Sequence, residues 1–377
     1  MDNKKRVLVT GASGFLGGRV IEAMHLSGFA QPIGTIRRWS RATRPARFPT
    51  TLLLCDILDP QQVARAVVDV DAVVHCAYTN DRHSIVEGTR QLLDAASRAH
   101  VPRFVFLSSA EVYGAKVQGI VDESSPLVDE GSEYALAKRD AEQLVMQANT
   151  EQFGTTVLRP SLIYGPFGTS WTIDLAKRLM SGKWGEFEGF GSGTANLVYV
   201  DDLVRAIFHV LSTEASRGNV YNVNGPDRVT WNEYFRRFNA TLERDPLPQV
   251  SSASSQRWTA VMDRVDRLAG LILDRFEEPL MKIYLRGGFL SRCMKGIKNA
   301  LNATPTVHEL HNLYNRDAYY TDARIREQLD FAPAVELDEG LRLTVAWLRH
   351  QGIVAGGTTA PTMLSPIQTP NEAASVS

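Results

Sequence analysis

A chain of 377 residues, 44% apolar and 22% charged, has room for one large or two modest globular domains with a real core. Forty-one basic against 42 acidic residues leave a formal charge of −1, so the balance calls for neither nucleic acid nor an anionic surface as an obligatory partner. The three cysteines, Cys55, Cys76 and Cys293, are scattered, with neither metal-ligand spacing nor a disulfide framework, which points to a reducing compartment. Met1 to Lys5 lead directly into the first strand without a signal peptide, and no apolar run approaches a membrane span. The expectation is a soluble cytoplasmic protein.

Arg6-Val7-Leu8-Val9 reads as a buried parallel strand, and the glycines after Thr10 break it. A helical pattern follows through Arg19, Val20, Ile21, Ala23 and Met24. Strand, glycine turn and helix in that order set backbone N–H groups at a helix N-terminus, where a pyrophosphate can sit. Gly11 allows the tight turn, Gly14 the close approach of phosphates and Gly17 the packing of helix on strand; Ser13, Phe15 and Leu16 complete the expected cofactor contacts. The spacing is G-x-x-G-x-x-G rather than G-x-G-x-x-G. A glycine-rich turn without a ligand is the plainer alternative.

Pro32 to Arg37 reads as a second strand. A site for NAD usually places a carboxylate about 20 residues beyond the glycines. Here that position offers Arg37 and Arg38, with Arg41 close behind, and guanidinium groups suit a 2′-phosphate. NADP is therefore favoured, with NAD as the alternative; an ordinary solvated basic loop, continued by Arg44 and Arg47, is the bland reading. Thr51 to Asp56 reads as a third strand ending in an acid suited to the adenine edge, with Ile57 beside it. A helix over Pro60 to Val68 precedes a fourth strand, Ala72 to Ala77, whose small terminal residues let a cofactor lie close at Ala77. His75 reads as a packed strand residue rather than an acid–base group. A helix from about Ser84 to His100 leads to a fifth strand, Arg103 to Ser108. This alternation predicts an α/β fold, a Rossmann-type doubly wound parallel sheet, with its ligand beyond the carboxyl ends of the strands.

Ser108-Ser109-Ala110-Glu111 follows the fifth strand, and Tyr134 and Lys138 open a helix running to about Asn149. Four residues apart, Tyr134 and Lys138 share a helical face. The ammonium is expected to lower the phenol pKa from about 10, so that Tyr134 passes a proton to or from a carbonyl or alcohol oxygen while hydride moves at the carbon. Ser109 would hydrogen-bond the same oxygen.

With these residues the chain resembles the extended short-chain dehydrogenase/reductases of the NAD(P)-dependent epimerase/dehydratase type. The shared features are Thr10 to Gly17, Ser109, the Tyr134/Lys138 pair, Leu158-Arg159-Pro160 with Tyr164-Gly165-Pro166, Asn196 to Asp202, Tyr221-Asn222-Val223, and the Glu339-Gly340 to Trp347-Leu348 stretch. There are two departures. The family's N-V-x-G-T opening reads Ile85-Val86-Glu87-Gly88-Thr89, and the Asp-Glu pair of the hexose dehydratases reads Ala110-Glu111. Glu111 is thus either a second base or a contact to a substrate hydroxyl.

The resemblance implies a dinucleotide-binding domain over residues 1–165, to which about 196–225 return, and a mainly substrate-binding domain over 166–350. Residues 167–195 carry Phe167, Trp171, Trp184, Phe187 and Phe190, aromatics that either stack on a nucleotide base or fill the small domain's core. Asp201-Asp202 opens a helix over Leu203 to Leu211, and reads as a cap rather than a metal site. About 251–300 reads as a helical insertion with a basic face, or as a weak membrane-surface contact. The stretch from Val354 to the end reads as a disordered tail.

The activity so implied is epimerisation or dehydration of a nucleotide-sugar through transient hydride transfer. The alternative is net NADPH-dependent reduction of a non-sugar carbonyl, steroid- or flavonoid-like; a cofactor sensor without chemistry is a third class. The family also implies a homodimer through the helices after the fourth and fifth strands.

Overall fold

The computed structural model describes residues 4–79, 81–182, 184–251, 305–306 and 309–355. The expected insertion at about 251–300, with its membrane-contact alternative, and the tail beyond residue 355 lie outside the described residues, Ser251 excepted.

Seven parallel strands form the central sheet: β1 (Arg6–Thr10), β2 (Gln31–Ile36), β3 (Thr51–Leu54), β4 (Ala72–His75), β5 (Arg103–Leu107), β6 (Gly154–Pro160) and β7 (Asn219–Val223). Their order is β3-β2-β1-β4-β5-β6-β7, every neighbouring pair parallel. The apolar runs bury both faces by alternation. Val7 and Val9 face a core shared with helices α1 (Phe15–Ser27) and α6 (Val200–Ser212), and Leu8 faces the opposite side. There it meets α2 (Pro60–Ala66), α3 (Arg82–Arg98) and α4 (Glu133–Gln147). From β1 the strand order runs outward through β2 and β3, and from β4 it runs the other way, so the carboxyl ends of β1 and β4 open a crevice at the switch point.

Side-chain caps start the helices that matter for the crevice. Asp81 accepts from the Ser84 N–H at the start of α3, and Ser132 from the Ala135 N–H at the start of α4, at 2.8 and 3.1 Å. The second cap fixes the first turn of α4, which carries Tyr134.

A second core lies beyond the carboxyl ends, and it is aromatic. Trp184, Phe187, Trp231, Tyr234, Phe235, Phe238 and Tyr314 are buried together, enclosed by α5 (Leu175–Met180), α7 (Trp231–Thr241) and α9 (Leu337–His350). Of the aromatics in 167–195, Trp184, Phe187 and Phe190 therefore fill the core, while Trp171 is only half-buried. A shorter helix, α8 (Ala323–Leu329), packs back onto the first core. Val354 is buried in the aromatic cluster, so the tail expected from that residue begins at least one residue too early. Helix α6 likewise starts at Val200 rather than Leu203. Asp201 is engaged by Arg19 at 2.5 and 2.8 Å, and Asp202 accepts the Ala334 and Val335 N–H groups at 3.0 and 2.9 Å. Among the described residues, no helix is long and apolar enough to cross a membrane, and no group of three His, Cys, Asp or Glu is placed to hold a metal ion.

Candidate active site

A cleft of about 960 Å³ runs across the carboxyl ends of β1, β2, β4, β5 and β6. Its first wall is the glycine loop, where Gly11, Ser13, Gly14, Phe15, Leu16 and Gly17 all line it. Gly11 is left-handed at φ +69, and a Cβ there would lie 2.8 Å from the Cys76 carbonyl oxygen. A Cβ at Gly17 would strike the Gly11 carbonyl, so loop and helix touch backbone to backbone. Gly14 is the N-cap of α1 and brings no side-chain acceptor, leaving the first-turn N–H groups to another partner. Donors without a capping side chain, on a cradle that a Cβ would fill, fit a dinucleotide pyrophosphate.

The β2–β3 end of the cleft places the expected arginines differently from one another. Arg37 and Arg41 line the cleft, together with Asp56 and Ile57, but Arg38 does not. A short 3-10 turn, Trp39–Arg41, brings Arg41 back towards the end of β2 and leaves Arg38 outside. Asp56 stands past the end of β3 and accepts the Leu58 N–H at 3.1 Å. Arg44 is not an ordinary solvated residue either: its Nη1 donates to the Gly14 and Phe15 carbonyls at 2.9 and 3.0 Å.

The end of β4 is held by a buried polar chain. Thr89 Oγ1 donates to the Ile85 carbonyl at 2.6 Å and therefore accepts from His75 Nε2 at 3.2 Å. His75 Nδ1 then accepts from Thr10 Oγ1 at 2.7 Å, and Thr10 Oγ1 accepts the Ala77 N–H at 3.2 Å. Burial, with the Lys138 charge added, pushes the imidazole down to about 3, so His75 is a neutral structural link. Ala77 lines the cleft, as does Ile85, which is 4% exposed and gives an apolar wall at the place where the N-V-x-G-T pattern would put asparagine.

Ser109, Glu111, Tyr134 and Lys138 converge at the inner end. Ser109 caps the 3-10 turn Ala110–Tyr113, accepting the Glu111 N–H at 3.2 Å, and is hydrogen-bonded to Tyr134. Lys138 is buried; its Nζ donates to the Leu107 carbonyl at 2.7 Å and lies 5.9 Å from the Tyr134 ring centroid. Desolvation pushes that ammonium down to about 8, against the pull of Cys76 and Glu142. The expected lowering of Tyr134 is not what the geometry gives. Burial first, and the Glu111 carboxylate second, drive the phenol above its ordinary value, and the Ser109 hydrogen bond opposes them only in part. Tyr78, 64% exposed, sits edge-on to Tyr134 with ring centroids 5.5 Å apart.

Sequence reading missed Tyr78, Leu162 and Ile163, which line the cleft; Thr169, Ser170 and Trp171, inside the 167–195 stretch with its aromatics expected either to stack or to fill the core, line it too. Leu162–Tyr164 pairs with Leu197–Tyr199 in a three-residue parallel ladder, too short to show a period. One signal was available: the residues lie directly after the Arg159-Pro160 strand end, in the crevice that the fold dictates.

Residues 7–224 match the family model described as NAD dependent epimerase/dehydratase family. The 2-alkyl-3-oxoalkanoate reductase of Stenotrophomonas maltophilia is 27% identical over 359 residues, covering 89% of this chain and 97% of the relative. The dTDP-glucose 4,6-dehydratase of Streptomyces griseus is 28% identical, over 90% and 93% of the two chains. Among solved structures, the dTDP-glucose 4,6-dehydratase of Streptomyces venezuelae with NAD bound superposes with a TM-score of 0.66 at 22% identity, over 93% of this chain and 99% of that one. With more than half of its length matched, and with the glycine loop, parallel sheet and crevice in place, the chain belongs to the NAD dependent epimerase/dehydratase family, as an enzyme of the extended short-chain dehydrogenase/reductase type.

Proposed function

We propose that this enzyme moves hydride at a secondary carbinol or carbonyl carbon, with Tyr134 handling the proton at the oxygen. The convergence of Ser109, Tyr134 and Lys138 at the inner end of a cleft that begins with the glycine loop carries this reading. A nicotinamide dinucleotide, held by Gly11 to Gly17, Asp56, Ile57, Ala77, Tyr134 and Lys138, supplies the hydride donor or acceptor when bound. Ser109 fixes the substrate oxygen, and Tyr134, kept protonated by burial and by Glu111, donates to it; in the reverse direction the phenolate left by that donation takes the proton back. Lys138, anchored on the Leu107 carbonyl, sets a cation beneath the pair. Arg37 and Arg41 at the adenosine end support NADP over NAD.

The first substrate reading is a nucleotide-sugar hydroxyl, oxidised transiently and reduced again after epimerisation or elimination. Glu111 supports it as a second base lining the cleft near Tyr134, although the buried Ala110 beside it offers no acid. The second reading is net reduction of a non-sugar carbonyl; Leu162, Ile163 and Trp171 favour it by adding apolar surface to the substrate end, beside Thr169 and Ser170. Identifying the nucleotide released on denaturing purified enzyme separates the two. A retained cofactor supports the cycle that regenerates it. An empty site with stoichiometric NADPH oxidation on a carbonyl panel supports net reduction. Turnover undiminished in Tyr134→Phe would sink both. The same reading includes a homodimer through α3 and α4, and a monomer by light scattering would remove that part.

A further inference from the structure

Three segments meet at Arg44. Its Nη1 holds the carbonyls of Gly14 and Phe15 at 2.9 and 3.0 Å, and its guanidinium carbon lies 3.8 Å from the centre of the Phe167 ring. Phe167 in turn leans on Trp347, with centroids 4.9 Å apart. Nε and Nη2 of Arg44 are buried without a hydrogen-bond partner. A second contact joins the same two loops: a Cβ added at Gly168 would come within 3.2 Å of the tip of the Phe15 ring. Phe167 itself sits at φ +70, a backbone conformation that a bulky residue keeps only where its surroundings fix it. Thr169, Ser170 and Trp171, directly after it, line the substrate end of the cleft.

We infer that Arg44 is a positioning residue that couples occupancy of the glycine loop to the substrate wall, through its stack on Phe167. This rests on the dinucleotide reading above. Arg44 is a cation at the N-terminal end of α1, where the helix dipole is itself positive, with Arg19 nearby. Glu22, the nearby carboxylate, is already paired with Arg19 at 3.1 Å. A pyrophosphate on the first-turn N–H groups relieves that repulsion. It also polarises the peptide units next to the carbonyls that Arg44 grips, strengthening the grip. Since a ligand shifts a conformational balance only by interacting differently with its two states, the anion favours the state in which Arg44 is docked. Docked Arg44 holds the Phe167 ring, and the held ring keeps its left-handed backbone and the residues that follow it. The dinucleotide phosphates thereby set the substrate wall without touching it.

Hydrogen exchange of the full chain, read by mass spectrometry with ADP-ribose and its 2′-phosphate as probes, tests this without any substrate. In the wild type, the probe is expected to slow exchange both in the glycine-loop peptide and across residues 166–174, the latter roughly tenfold, within the span usual for coupled sites. In Arg44→Met the slowing at 166–174 is lost, and Arg44→Lys restores part of it. Phe167→Leu leaves the loop's hydrogen bonds intact and gives the same selective loss, which guards against a misfolded Arg44→Met. Retained slowing at 166–174 in Phe167→Leu, or in a folded Arg44→Met, overturns the coupling, as does a wild type that responds only at the glycine loop. A wild type whose glycine loop does not respond to either probe overturns the dinucleotide reading instead.

Discussion

The two halves of the molecule bury apolar surface in different ways. Around the sheet the core is mainly aliphatic and periodic, with Val7, Leu8, Val9, Ile21, Val73, Val74 and Val105 alternating between two helical layers and Phe104 and Phe106 among the few rings. Beyond the carboxyl ends it is a cluster of rings, Trp184, Trp231, Tyr234, Phe235 and Tyr314, with Trp231 and Tyr314 centroids only 4.7 Å apart. The first arrangement is built from hydrogen-bonded ladders, so its shape is set by backbone pairing. Among the described residues the second has only two- and three-residue strand pairs, so its shape is set by how a few large side chains interlock. A regular half thus carries the glycine cradle, and an irregular half carries the cleft wall that includes Thr169, Ser170 and Trp171.

The largest expected effect lies on the seam between them. Tyr134→Phe should lower turnover about 10²–10⁴-fold while leaving dinucleotide affinity nearly unchanged, a split that steady-state rates and calorimetric titration resolve. Next comes the ring cluster: Trp231→Ala should cost about 3–5 kcal/mol in urea unfolding. A substrate half that melts separately in that variant would show the two cores to be independent units rather than one cooperative fold.

A pH effect follows from the buried link under the cradle. His75 titrates near 3 in the folded chain against an ordinary 6.5, so between those values the unfolded chain binds the extra proton. Stability should therefore rise with pH across that window, by a few kcal/mol, and His75→Gln should flatten the slope in denaturation curves. The smallest effect is in the aliphatic core, where Ile21→Val should cost about 0.5–1.5 kcal/mol. A larger loss there than in the ring cluster would reverse the comparison.

The regular half was largely legible in the amino-acid sequence. Four of the first five strands are apolar runs closed by glycine, a small residue or an acid, the second running instead into Arg37, and the glycine and Tyr134/Lys138 spacings placed both ends of the cleft. What escaped depends on chain segments far apart. Nothing local distinguishes Arg38 from Arg41; a single 3-10 turn decides which one reaches the cleft. Arg44 looked like part of a solvated run because its partners, Gly14, Phe15 and Phe167, lie 29 to 123 residues away. The upward shift of Tyr134 comes from burial and from Glu111, neither of which a four-residue spacing can express. In the irregular half, Phe190 and Trp171 look alike on paper, yet one is 6% exposed in the core and the other lines the cleft.

The last helix gives the two halves different schedules during synthesis. The sheet receives its seventh strand with Val223, so most of the cradle's framework can assemble while the remaining chain is still being made. The ring cluster has to wait for Leu337, Leu341, Val345 and Leu348 of α9, and for Val354 behind them. Until those residues emerge, Trp184 and Trp231 stand without their cover. A nascent chain stalled before α9 therefore presents a nearly finished cradle beside an open aromatic face, the kind of surface through which unfinished chains aggregate.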